Sequence, residues 1–291
     1  MKASRKTLYF PFSLGHFAND FVPCSVVVLA PAIALEMGLG PMEVGLLLTL
    51  HSLGSALGYF PSGLLADSVR NRGNLLMLTF WWVGLGYLLA SWAPGFWSLA
   101  LLFALAGCGD AAWHPLATAI LVQANPQKRG QALGFHAVGG TLSAVVGPVI
   151  VGFLLASMDW RETLHWIILP TLLVGIFFLQ IRKWVPEQPE RKAISKEDFQ
   201  HLWKIWTKKT GLLIICLISS YHMSLVALMS MIPLYLREFH GLSSTITGFA
   251  FGMMVLFGAF MQPLMGKISD RAGRRRVIVF GIGIAAVCAF M

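Results

Sequence analysis

Apolar positions in this chain run in long, nearly unbroken stretches. A helix needs roughly 20 mostly apolar residues to cross a bilayer. Eight stretches meet that length: 8–35, 42–65, 75–92, 96–122, 132–157, 164–181, 212–236 and 246–268. A ninth, 277–291, is shorter. The longest polar segment, 182–210, has six stretches before it and three after it. This spacing predicts an N-terminal six-helix transmembrane half over 1–185, a cytoplasmic linker over 186–210 and a partial C-terminal half over 211–291. In the linker, Ser195 is placed to cap a short helix whose Phe199, Leu202, Trp203 and Trp206 share one face, with Lys204, Lys208 and Lys209 near lipid headgroups. An irregular linker is the alternative.

Composition agrees with a bilayer as the solvent: 56% of residues are hydrophobic, 12% are charged and mean hydropathy is +0.70. The expected fold class is therefore all-α, a polytopic membrane protein of about nine helices. A net charge of +9 raises the question of a nucleic-acid partner, and the placement of the charge answers it. With the stretches threaded alternately through a membrane, every one of the 22 Lys and Arg residues except Arg161 and Arg237 falls on one side. That is the positive-inside bias, and it places the N-terminus in the cytoplasm with no nucleic acid implied. Ala32, Ile33 and Ala34 resemble a signal-peptidase site, but His16, Asn19 and Asp20 interrupt any signal core, so the first stretch reads as a retained helix. Cys24, Cys108, Cys216 and Cys288 stand apart within the stretches, which fits packing better than a disulfide framework or a metal site.

Two loops in corresponding positions carry one pattern. After the second stretch comes Gly63-Leu-Leu-Ala-Asp67-Ser-Val-Arg70-Asn-Arg72; after the eighth comes Gly266-Lys-Ile-Ser-Asp270-Arg271-Ala-Gly273-Arg274-Arg275-Arg276. In each, a Gly permits close helix approach, an Asp follows at the helix end, and a basic turn faces the cytoplasm. Repetition of this kind marks two structurally equivalent halves. Helix caps and topogenic charge would account for either copy alone.

At these residues the chain resembles the major facilitator superfamily, whose loop signature is G-x-x-x-D-R-x-G-R-R/K. The second copy is nearly complete; the first has Ser68 and Arg70 at two signature positions. The resemblance implies the major facilitator fold, with a six-helix N-terminal half and an incomplete C-terminal half. It also implies gating roles for Gly63, Asp67 and Arg72 and for Gly266, Asp270, Arg271, Gly273 and Arg274.

Carboxylates lie deep in the apolar stretches at only two places, Asp20 and Asp110, and each has a His four residues away: His16-x3-Asp20 and Asp110-x3-His114. Spacing of four stacks the partners on one helical face. At 1.5 Å per residue both carboxylates lie about 15 to 20 Å from their helix ends, so they can share one layer near the midplane. An unpaired carboxylate in hydrocarbon is costly, so these groups should face a polar cavity, pair with His, or take up a proton. A structural network joining the two helices is the competing reading. His51, His136 and His222 are also intramembrane, and His165 lies near the outer boundary. His222, beside Ser219, Ser220 and Tyr221, is the C-terminal candidate; His136 follows it.

The fifth stretch carries Gly134, Ser143, Gly147-Pro148 and Gly152, which resembles the antiporter signature whose Gly-Pro bends helix five; an ordinary kink is the alternative. The runs Gly15-His16-Phe17-Ala18-Asn19-Asp20 and Gly107-Cys-Gly-Asp-Ala-Ala-Trp113-His114-Pro115, with Gly139-Gly140, look like the fosmidomycin-resistance branch. That branch implies proton-driven export of a small drug-like or anionic compound, an antiporter in the bacterial inner membrane that is monomeric when complete. Sugar or organic-acid uptake is the alternative, as is a truncated membrane protein that does not transport. The partners expected are a small-molecule substrate, protons and the lipid bilayer. No cofactor or metal is expected, and no H-E-x-x-H or G-x-S-x-G motif suggests an enzyme. The family has twelve helices, so the last three are expected to be lacking.

Overall fold

With no water to satisfy backbone groups, the apolar stretches fold as helices. The computed structural model describes residues 8–127, 129–187 and 195–290. All nine stretches are helical, and there is no strand among the described residues. Among the described residues, six helical runs are long and apolar enough to cross a membrane, or seven when one bent pair counts as a single span.

The bent pair is the first span. Helix α1 (Tyr9–Asp20) ends at the carboxylate, a 3-10 turn covers Pro23–Ser25, and α2 (Val26–Met37) continues at 42°. Pro23 has no amide hydrogen to give to the helix, and Ser25 Oγ donates to Phe21 O at 2.6 Å, so the break has a local cause. Helix α3 (Pro41–Ser68) starts with Pro at its first position and with Glu43 accepting from Gly40 N at 3.0 Å. Asn71 caps α4 (Arg72–Ala90) by accepting from Asn74 N at 3.2 Å. Helices α5 (Phe96–Ala124) and α6 (Arg129–Leu154) are unbroken, and Pro148 sits inside α6. The sixth span divides into α7 (Trp160–Ile167), capped by Asp159, and α8 (Leu169–Ile181), which has Pro170 in its first turn. Next comes the short α9 (Lys196–Trp206), directly after Ser195, and then α10 (Lys209–Glu238), α11 (Ser244–Ala272) and α12 (Arg274–Phe290).

Apolar side chains pack in two clusters. One, towards the basic-loop end, includes Phe12, Phe80, Trp113, Ile120 and Phe178. The other, towards the opposite end, includes Leu29, Ile33, Leu47, Phe103 and Trp160. Along α1 the first cluster reaches Ala18 and the second begins at Phe21, so Asp20 falls at their boundary. Helices α10 and α11 join the bundle at the end opposite the basic loops. There Gly152 of α6 and Gly248 of α11 face each other so closely that a side chain on Gly248 would lie 2.9 Å from the Gly152 Cα. At the basic-loop end, every residue of α10 from Leu212 to Ser224 is exposed.

Candidate functional site

The charged layer is assembled where α1, α5 and α6 meet. Gly139 and Gly140 on α6 let α1 come in close: a Cβ on Gly140 would lie 2.7 Å from the His16 ring. Thr171 of α8 donates to Ala18 O at 2.6 Å and fixes the other side of α1. The rotation this imposes turns His16 and Asp20 towards α5.

His16 Nε2 lies 3.1 Å from Asp20 Oδ2, and His114 Nε2 reaches Asp20 Oδ1 at 3.7 Å. Asn19 is fully buried, and its Nδ2 donates to Asp110 Oδ1 at 2.6 Å, Asp110 O at 3.1 Å and Asp20 Oδ1 at 3.3 Å. The spacing of four in Asp110-x3-His114 suggested a pair within one helix. The observed pairing crosses between helices instead: His114 approaches Asp20, and Asp110 takes its hydrogen bond from Asn19.

His136, buried on α6, stacks on His16 with ring centroids 4.1 Å apart. His16 Nδ1 contacts His136 O at 2.8 Å, and His136 Nδ1 contacts Phe12 O at 3.2 Å. A carbonyl only accepts, so each Nδ1 carries the hydrogen, and each Nε2 is left with a lone pair in the neutral ring. The His16 lone pair then faces a carboxylate oxygen, an arrangement that is favourable only with a cation between them, the simplest being a proton on either group. Tyr59 of α3 stacks on His114 at 5.8 Å and closes that side.

Other candidates lie elsewhere. His222 is on the exposed stretch of α10, apart from the cluster. His51 bonds to Tyr87 Oη at 2.7 Å and His165 to Ser91 Oγ at 2.8 Å, both as links between helices. Gly147 packs on Ser25 beside the break in the first span. Arg72, 1% exposed, donates to Gln123 Oε1 at 2.7 Å and to Pro186 O at 3.2 Å, and Arg70 pairs with Glu187 at 2.8 Å. These contacts of the first loop copy are made within the N-terminal bundle and the segment after α8. Gly63 faces Pro115 of α5, and Asp67 is partly buried at the end of α3. In the second copy, Gly273 turns the chain between α11 and α12 at a φ of 91°. Gly266, Asp270, Arg271 and Arg274 lie along those helices, with their side chains outside the described set, and residues 1–7, 128, 188–194 and 291 are also outside it.

Asn19 and Tyr59 are the members that sequence reasoning missed. Asn19 is visible in the sequence as a polar interruption of the first stretch, but nothing in its spacing names Asp110 as its partner. A separate cavity of about 240 Å³ opens at the opposite end among Glu36, Asp159, Trp160, Arg237 and Ser244. Near it Arg161 pairs with Glu36 at 3.1 Å, and Arg237 donates to Ser244.

Bundled apolar spans around a cluster of two carboxylates and three imidazoles define a multi-pass membrane protein. Residues 12–291 match the Major Facilitator Superfamily, and the chain belongs to that family of transporters. Its relatives include a "Probable 4-methylmuconolactone transporter" of Cupriavidus pinatubonensis, 29% identical over 99% of this chain and 67% of the relative. A "Fosmidomycin resistance protein" of Escherichia coli is 26% identical over 91% of this chain and 66% of the relative. A "Probable sugar efflux transporter" of Helicobacter pylori is 26% identical over 96% and 69%. The chain thus spans about two thirds of the length of these relatives. Among solved structures, an inward-facing, unoccupied bacterial homolog of the human lysosomal transporter Spinster superposes with a TM-score of 0.77 at 20% identity, covering 94% of this chain and 64% of that one.

Proposed function

We propose that this chain belongs to a secondary transporter that exports a small drug-like or anionic compound in exchange for protons, by alternating access. Asp20 and His114 are its principal cavity groups, and His16 and Asp110 are their partners; His136 supports them and Asp67 and Arg72 act in the gate. The observation that carries the reading is Asp20 held between two imidazoles, 3.1 Å and 3.7 Å away, and linked through Asn19 to a second carboxylate. Such a group can hold a proton in one state and release it in another without exposing a bare charge to lipid. Export is supported by relatives named for fosmidomycin resistance and for sugar efflux. The bacterial inner membrane, with the N-terminus in the cytoplasm, is the location that fits the one-sided basic loops. The division at residues 185 and 210 into two halves and a linker is part of the same reading, as is a monomer for the complete carrier.

Uptake of a sugar or organic acid is the second reading, because one relative is named only as a transporter, with no direction given. Vesicles carrying the chain, loaded with fosmidomycin as the probe and placed across an imposed pH gradient, test the proposal. Flux should follow the gradient in the native chain and lose that dependence in Asp20→Asn. Coupling that survives the substitution removes the role given to Asp20.

A further inference from the structure

His16, Asp20 and His114 bring three ligand atoms within 4.8 Å of one another, from two helices. We propose that they form a binding site for a divalent transition-metal ion of the Zn2+ class. The inference stands on ligand geometry alone and does not depend on the transport reading.

Bonds of about 2.0 Å in a tetrahedral site separate neighbouring ligand atoms by about 3.3 Å. Asp20 turns one oxygen to each imidazole, Oδ2 at 3.1 Å from His16 Nε2 and Oδ1 at 3.7 Å from His114 Nε2, and these contacts lie on either side of that value. The surroundings also match a metal site. His16 gives its Nδ1 hydrogen to the His136 carbonyl at 2.8 Å, which aims the Nε2 lone pair inward as metal-bound histidines require. Asn19 Nδ2 donates to Asp20 Oδ1, the oxygen on the His114 side, at 3.3 Å and so holds the carboxylate in place. Asp110, on the same amide, offsets the single positive charge left by a dication on one carboxylate and two neutral imidazoles.

Side-chain exposures of 14%, 16% and 23% leave an approach for the ion and a fourth position for water or a ligand. Two imidazoles in a set of three disfavour Mg2+ and Ca2+, which take oxygen ligands in six- to eight-fold shells, and favour Zn2+, Co2+, Ni2+ or Cu2+. Periodicity could not have signalled the site, because His114 joins it only when α5 lies against α1.

The test uses the full chain, purified in nanodiscs and stripped with a chelator. ZnCl2 is titrated calorimetrically, and CoCl2 is followed by its visible bands, which distinguish four-coordinate from six-coordinate cobalt. One equivalent should bind, with a four-coordinate cobalt spectrum. Affinity should fall about 10- to 100-fold in His16→Gln and in His114→Gln, judged by the losses usual at metal sites. The exposed His240→Gln should match the native chain. Equal affinity in both ligand variants, or a six-coordinate spectrum, overturns the proposal. Should the variants fail to fold, the native chain decides: Zn2+ must slow diethyl pyrocarbonate modification of His16 and His114 relative to His240, and equal rates overturn the proposal.

Discussion

Asn19→Leu removes the amide that links the two carboxylates while keeping side-chain volume nearly constant. The 2.6 Å bond to Asp110 is a short contact to a carboxylate, a kind worth about 1.5–3 kcal/mol. The longer contact to Asp20, 3.3 Å, adds about 0.5–1 kcal/mol. Against these losses, Asn19 Oδ1 is buried without a partner among the described residues, and its removal returns about 1 kcal/mol. The net expectation is a loss of about 2 kcal/mol, which at about 2.1 cal/mol/K of unfolding entropy per residue lowers the melting midpoint by about 3 °C for a chain of 291 residues. Thermal unfolding in nanodiscs, followed by far-ultraviolet circular dichroism, reads it directly. Asn19→Asp supplies the contrast: it keeps the shape but replaces a donor with a third carboxylate, so it should destabilise more than Leu does. A Leu variant within about 0.5 kcal/mol of the native chain, or an Asp variant milder than Leu, would refute the bridging role; ordinary surface changes stay within that range.

Three further outcomes follow from contacts elsewhere. Arg72→Met strips bonds from Gln123 and from the Pro186 carbonyl, at a cost of about 2–4 kcal/mol, and backbone hydrogen exchange over 182–187 should accelerate; unchanged exchange there removes the clamp assigned to Arg72. Gly248→Leu would drive a side chain into Pro148 O and Gly152, so spin labels at Ile150→Cys and Met253→Cys should move apart, with a loss of about 1–3 kcal/mol from overpacking. On α9, Phe199, Trp203 and Trp206 are exposed at 52%, 65% and 49%. If that face lies on lipid, a nitroxide at Trp203→Cys should be more accessible to oxygen than one at Lys204→Cys in liposomes, and equal accessibility would mean an unanchored linker.

What was legible in the sequence and what was not divide along one physical line. The spans, the one-sided basic loops and the Gly63 and Gly266 repeat could be read because each depends on composition or spacing within one segment. Helix periodicity also placed His16 with Asp20, since both lie on α1. It misassigned the second pair, because which face of α5 meets α1 is a property of three helices together. Gly139 and Gly140 set how closely α6 approaches α1, Thr171 pins Ala18 from α8, and Trp113 packs against the bare Gly15, where an added Cβ would lie 2.8 Å from the indole Cζ2. With α1 held at that rotation, the buried Asn19 side points to Asp110, and the His16 and Asp20 side is left for His114. The break at Pro23 was present in the sequence as a single residue, yet its consequence depends on where it falls, directly after the carboxylate. Placed one turn earlier, it would have ended α1 before Asp20 and cost the carboxylate its contact with His16. The site is therefore specified less by its charged residues than by the small and β-branched neighbours that fix their rotation.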